Sequence, residues 1–134
     1  MAITANRRAT AADGTVSLFQ DQVFKPGFID LSATDGLTAG ATQTIAGGTA
    51  LIYQLNRFTT VTSSGDAATL PLAKQGRWRV VTNVSGSNAM AIFPANATDQ
   101  INAVTAGSSY SLSDTKTVIF FCMVDGIWNT VLTA

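Results

Sequence analysis

The sequence predicts an all-β fold, an antiparallel sandwich or compact barrel preceded by an extended N-terminal arm. Three observations carry that prediction. The chain is rich in Thr, Ala, Gly, Ser, Val and Asn and lacks the Glu/Lys/Leu/Arg background of stable helices. Its apolar residues fall in short β-branched and aromatic runs, separated by clusters of Gly, Asn, Ser and Asp. Its 134 residues are the length of one domain. The arm and an apolar lead-in occupy residues 1–36, and the β domain residues 37–134.

The first segment has no clean period. Arg7 and Arg8 lie among small residues, and Val16, Leu18, Phe19, Val23, Phe24, Phe28, Ile29 and Leu31 follow, broken by Lys25-Pro26-Gly27. Disordered tails are poor in such bulky residues. The segment therefore packs on its own domain or lies on a neighbour, and composition favours neither. Arg7, Arg8, Phe19, Phe24 and Phe28 are candidate interface residues, with about the first fifteen residues expected to be extended and ordered mainly by a neighbouring subunit or a partner surface.

Next come four short strand candidates, Ala50 to Gln54, Phe58 to Thr62, Ala68 to Leu70 and Ser109 to Leu112. Between them, Arg77 to Val84 leads through Ser85-Gly86-Ser87-Asn88 into Ala89 to Phe93, which reads as a hairpin closed by Pro94. Trp78, Val80, Thr82 and Val84 share one face of its first strand, with Trp78 expected in the core. Arg77 and Arg79 take the other face, in salt bridges or an interface. The strongest local signal is Thr117 to Val124, Asp125-Gly126, then Ile127 to Thr133. Asp-Gly between two such runs predicts a type I′ hairpin, which requires positive φ at both central residues. Val124 then faces Ile127, Met123 faces Trp128 and Phe121 faces Thr130. The first strand is apolar on both faces, with Phe120, Cys122 and Val124 on one and Ile119, Phe121 and Met123 on the other. That pattern predicts burial on both faces, against the core and against a subunit contact or crossing arm. Phe120, Phe121, Cys122 and Trp128 are expected to be largely buried.

Charge and composition exclude several functions. Lys plus Arg and Asp plus Glu number 8 each, the net charge is zero, and only 12% of residues are charged. Every acid is an aspartate and there is no histidine. Imidazole bases are absent, which removes Ser-His and Cys-His nucleophilic catalysis and histidine-ligated metal sites. The balance lacks the cationic excess that phosphate-backbone binding needs, so no nucleic-acid partner is expected. A chain with so little surface charge expects neighbours to cover it; a monomer with a Thr/Ser/Asn surface is the alternative. Cys122, the single cysteine, lies in the apolar run Val118 to Val124 and reads as a small hydrophobe. The N-terminus does not read as a secretory signal and no apolar run approaches 18 residues, so synthesis in a cytoplasm and no membrane partner are expected.

No catalytic constellation emerges. Asp30 and Asp35 flank a turn, and Asp99 sits in Asn96-Ala97-Thr98-Asp99-Gln100-Ile101-Asn102, where Asn and Asp close Asx-turns through their own side chains. Oxygen ligands at Asn96, Asp99 and Asn102 would suit calcium, but no Asp-x-Asp-x-Asp loop accompanies them. Gly40, Gly47-Gly48 and Gly86 lack the context of a phosphate loop and read as turn glycines. No enzyme activity, metal or cofactor is expected.

One resemblance runs through the C-terminal two-thirds. Gly40-Ala41-Thr42-Gln43 is followed by Thr59-Thr60-Val61, by Gly65-Asp66 leading to Leu70-Pro71, and by Val80-Val81-Thr82-Asn83. Ser87-Asn88-Ala89, Ile92-Phe93-Pro94, Ile101-Asn102, Val118 to Cys122 and Gly126-Ile127-Trp128 complete the order. Over residues 37–132 this resembles small β-structured virion proteins of tailed bacteriophages, among them capsid decoration (cement) proteins and related domains on tails and fibres. The resemblance implies a virion structural protein on the capsid surface, a homotrimer bound to the major capsid protein, often through an N-terminal arm. The alternative it implies is a tail, fibre or spike component, for which Trp128 and Tyr110 are the candidate sugar-stacking aromatics.

Overall fold

The structure, a computed structural model, describes residues 32–133. They are all-β, with no helix among the described residues. Ten strands run in chain order: β1 (Ala33–Thr38), β2 (Thr49–Ala50), β3 (Leu55–Thr60), β4 (Ala67–Thr69) and β5 (Trp78–Asn83). They continue with β6 (Met90–Phe93), β7 (Gln100–Ile101), β8 (Tyr110–Leu112), β9 (Thr117–Val124) and β10 (Ile127–Leu132). Six make one sheet, ordered β1-β3-β5-β9-β10-β7, and four make the other, ordered β2-β4-β6-β8.

Through β6 the chain alternates between the sheets, and each strand lies parallel to the one laid down a coil earlier. β1 pairs with β3, β3 with β5, β2 with β4, and β4 with β6, all parallel. This is a short β-solenoid of three coils. From β7 onward the direction changes. β8 runs antiparallel to β6, β9 antiparallel to β5 and β10 antiparallel to β9, closing the stack, while β7 pairs parallel to β10 at the sheet edge.

The expectation of an antiparallel sandwich or barrel is therefore corrected: two sheets enclose one core, but by coiling. The hairpin expected at Ser85–Asn88 is corrected with it, because β5 and β6 belong to different sheets. The physical reason lies at the corner. Fully buried Asn83 donates through Nδ2 to Asn88 O (2.8 Å) and Leu112 O (3.2 Å), and its Oδ1 accepts from Ser85 N (3.2 Å). Asn88 Nδ2 in turn donates to Val61 O (2.9 Å) and Thr62 O (3.1 Å) of the preceding coil. These bonds hold the connection as a bend between sheets and satisfy carbonyls that no ladder reaches. At the first corner Gly40 pairs with Ala67, and a Cβ on Gly40 would stand 2.0 Å from Gly47 O, so only glycine fits.

The C-terminal hairpin forms as expected, with Val124 opposite Ile127. Its register differs beyond the turn. Phe121 faces Asn129 and Phe120 faces Thr130, so Cys122 and Met123 form a bulge against Trp128. The turn is not type I′ either. Gly126 has φ +87°, whereas Asp125 is not among the residues of positive φ. Without the twist that a type I′ turn supplies, the bulge restores the match between the strands.

The core joins both sheets. Phe58, Val81, Val118, Phe120, Cys122 and Trp128 from the larger sheet meet Ala68, Met90, Ile92 and Leu112 from the smaller. Phe120 stands edge-on to Tyr110 (5.6 Å between centroids) and to Trp128 (6.5 Å). The compact unit that contains these strands starts at Leu31, so β1 belongs to the solenoid and a boundary at residue 37 falls inside that strand. The expected arm, with Arg7, Arg8, Phe19, Phe24 and Phe28, lies outside the described residues.

Candidate interaction surface

The outer face of the six-stranded sheet is the surface that the fold builds most deliberately. Side chains alternate across a strand, so with Val118, Phe120 and Val81 inside, Ile119, Phe121, Trp78 and Val80 face out. Register then aligns them. Leu55 lies beside Val80, Val80 beside Ile119, and Ile119 beside Val131, a continuous apolar row across four strands. Trp78 and Phe121 form a second row next to it. Ile119 and Val131 are 40% and 56% exposed. Beyond Leu55 the row opens into a groove of about 470 Å³ lined by Ala33, Leu55, Val80 and Thr82, with the ion pair Arg57–Asp35 (2.7 Å) at its border. The Arg57 guanidinium and the backbone N–H of Gly36 hold the Asp35 carboxyl below its usual range.

The expectation for β9 is thus met on its inner face only. Phe120, Cys122 and Trp128 are buried, whereas Phe121 is half-buried and Ile119, Met123 and Val124 are exposed in the single chain. The reading of Trp78 is corrected: it lies on the outer face, because Phe121, its partner in register, points away from the core. Trp128 is likewise removed as a sugar platform. It is fully buried, and Tyr110 packs its ring on Phe120.

Arg77 and Arg79 do project together, opposite Trp78, toward the opening between the sheets. Neither makes a salt bridge among the described residues, where the recorded pairs are Arg57–Asp35 and Lys74–Asp125. Arg77 Nη1 donates to Leu72 O (3.0 Å). Arg79 donates through Nε to Leu51 O (3.0 Å) and through Nη1 to Trp78 O (2.8 Å). Partial burial, with the neighbouring Arg77 cation, holds the Arg79 guanidinium below its ordinary value, though it stays charged at neutral pH. The two border a cleft of about 380 Å³ walled by Leu51, Ile52, Leu70 and Pro71.

The carboxylates serve structure. Asn96 Oδ1 accepts from Thr98 N and Asp99 N (2.8 Å each), closing the expected Asx-turn, and buried Asp99 accepts from Ala73 N (2.8 Å). Asp66 Oδ2 accepts from Ser63 N (2.9 Å) in a similar turn. Asn102 is committed to Thr130, accepting from its N–H and donating to its hydroxyl, which takes its oxygen out of any set with Asn96 and Asp99. Among the described residues no group of three or more Cys, Asp or other metal-ligating side chains gathers in one place.

Sequence reasoning missed Leu55 and Val131 as parts of the outer face, and Ile52 at the cleft. Local pattern gives no signal for the first two: Leu55 joins the row through a parallel pairing with Val80, and Val131 through the bulge that shifts the hairpin register. The chain matches no protein-family model and no curated protein.

Proposed function

We propose that this chain is a virion structural protein, a capsid decoration protein that binds the major capsid lattice and stabilises the head. The outer sheet face carries the reading: rows of Leu55, Val80, Ile119, Val131, Trp78 and Phe121 on a chain with only 12% charged residues make a surface suited to being covered. In this reading one part of the face closes a homotrimer and the rest meets the shell. Binding the assembled lattice and not its dissociated subunits stabilises the shell by mass action. Joining three chains makes individually weak contacts act together. The resemblance of residues 37–132 supplies the virion setting.

The test is location and copy number. Purified virions should carry the protein in large copy number on the head, and heads stripped of it should lose heat resistance and regain it on re-addition. A few copies confined to the tail would overturn the assignment. Ile119→Asp with Val131→Asp should leave the β-sheet circular dichroism unchanged, since both positions are exposed, while giving a monomer that no longer protects heads.

The tail, fibre or spike reading keeps one observation of its own. β1 and β2 each end their sheet, so the first coil has an open edge among the described strands. Further coils extend a solenoid at such an edge, and this is how rod-like stacks grow. Immunogold labelling of intact virions separates the two locations.

A further inference from the structure

Arg77 and Arg79 stand out because their partners solvate charge without cancelling it. Lys74 and Arg57 each have an aspartate, at 2.9 and 2.7 Å. Among the described residues, the hydrogen-bond partners of the Arg77 and Arg79 side chains are backbone carbonyls of Leu72, Leu51 and Trp78. A guanidinium carries five N–H donors. One is used at Arg77 and two at Arg79 among the described residues, which leaves several donors beside the same cleft. Two like charges side by side, one of them partly desolvated, is an arrangement that an anion relieves. The rest of the lining is mainly apolar, with Leu70 and Leu51 buried and Ile52 69% exposed at the rim, and its one hydroxyl, Thr69, donates to Ile45 O (2.7 Å).

We propose that this cleft binds the carboxylate of an acidic side chain on a partner protein, with a neighbouring apolar residue of that partner resting on Ile52. The guanidinium fork matches a planar carboxylate through paired N–H···O bonds. The apolar rim favours a polypeptide over a sugar, which would need several hydroxyl partners and an aromatic to stack on, whereas no aromatic lines the cleft and Thr69 is its one hydroxyl. Zero net charge argues against a nucleic-acid strand. The inference concerns the chemistry of the partner and stands whether that partner belongs to a head or a tail.

The test uses the full chain, isotope-labelled for NMR, titrated with the blocked tripeptide acetyl-Leu-Glu-Leu-amide and its Gln counterpart. The Glu peptide should give saturable shifts at residues 50–52 and 69–72, with a dissociation constant on the order of 1 mM. The Gln peptide should bind about 10-fold more weakly, the factor expected from losing hydrogen bonds to a charged group. Arg77→Gln should weaken the Glu peptide by a similar factor, and high salt should do so progressively. Arg77 is exposed and holds one carbonyl, so this variant keeps its fold even where Arg79→Gln does not, and the peptide exchange needs no variant at all. Equal binding of the Glu and Gln peptides, or no saturable shift at these residues, would overturn the proposal. So would galacturonate binding more tightly than the Glu peptide, which would make the cleft a sugar site.

Discussion

Ser85–Asn88 and Asp125-Gly126 connect strand runs of similar length and composition, yet they do opposite things. At Asp125-Gly126 the chain reverses within one sheet, β9 to β10, and the two strands share a ladder. At Ser85–Asn88 it leaves one sheet for the other, and β5 and β6 share no ladder. The difference lies in which groups satisfy the turn. The hairpin is closed by backbone geometry, with Gly126 at φ +87°, and is buttressed from outside: Asp125 accepts from Gln75 N (2.8 Å) and Lys74 Nζ (2.9 Å), and Gly126 N donates to Ala73 O (2.9 Å). The corner also has a left-handed glycine, Gly86 at φ +93°, and an outside carboxylate, Asp114, accepting from Gly86 N (2.8 Å), but it is tied in addition by side chains, Asn83 and Asn88 reaching carbonyls of three different segments. A local turn needs a local residue; a corner needs a buried polar residue whose partners arrive from elsewhere in the fold.

That contrast predicts a graded set of effects. Asn83→Ala should be the most damaging, costing about 2–4 kcal/mol in urea unfolding, because it strands buried partners at Asn88 O, Leu112 O and Ser85 N. A loss no larger than that of an exposed Asn would show that the corner is held some other way. Gly126→Ala should cost about 1–2 kcal/mol, the penalty for a Cβ at left-handed φ, since nothing lies within 4 Å of that Cβ to add a clash. Asp125→Ala and Asp125→Gly both lose the bonds to Gln75 N and Lys74, and since Asp125 is not in the left-handed region the Gly variant should gain nothing over the Ala variant; a clear advantage of Asp125→Gly would restore the type I′ assignment.

The smallest effect is electrostatic, and Asp125 carries the hairpin's share of it. The backbone N–H of Gln75 and the Lys74 ammonium hold the Asp125 carboxyl below its ordinary 3.8. A carboxyl lowered in the folded state stabilises the fold above its unfolded value, and that contribution disappears as pH falls through the folded value. Stability measured from neutral pH downward should therefore hold until about pH 4 and then fall, with Asp125→Asn flattening part of the fall and Asn83→Ala leaving its slope unchanged. Identical acid profiles for wild type and Asp125→Asn would show that the contact contributes nothing in solution, as many exposed ion pairs do not.

Much of this was legible in residue order. The spans of β4, β5, β6, β8, β9 and β10 follow from the sequence to within a residue or two, because β-branched and aromatic runs bounded by Gly, Asn and Asp report strands locally. So was the inward set Phe120, Cys122 and Trp128. β1 was missed because Ala33-Thr34-Asp35-Gly36 carries no apolar alternation; it is a strand because Arg57 and the β3 ladder receive it. The coil was also written in the chain, faintly: Thr59-Thr60-Val61 through Leu70-Pro71 and Val81-Thr82-Asn83 through Phe93-Pro94 repeat one order of strand, turn, short strand and proline. The cleft could be half foreseen. Arg77 and Arg79 had to share a face, but that they bond backbone carbonyls rather than a carboxylate among the described residues depends on where β2 and the Leu70–Leu72 segment fall.

By itself the sequence determined the β class, the spans of β4, β5, β6, β8, β9 and β10, the Asp125-Gly126 reversal and the alternation that makes Ile119 and Phe121 a separate face from Phe120. Those follow from φ preferences and the two-residue period, which act between near neighbours. Only the tertiary structure decided which strands are partners, and so whether Ser85–Asn88 is a hairpin or a corner and whether Trp78 is core or surface. Partnership is a long-range choice. Parallel and antiparallel ladders satisfy the same backbone groups, and the decision rests with Asn83, Asn88 and Gly40, whose contacts are made by residues far away in the chain.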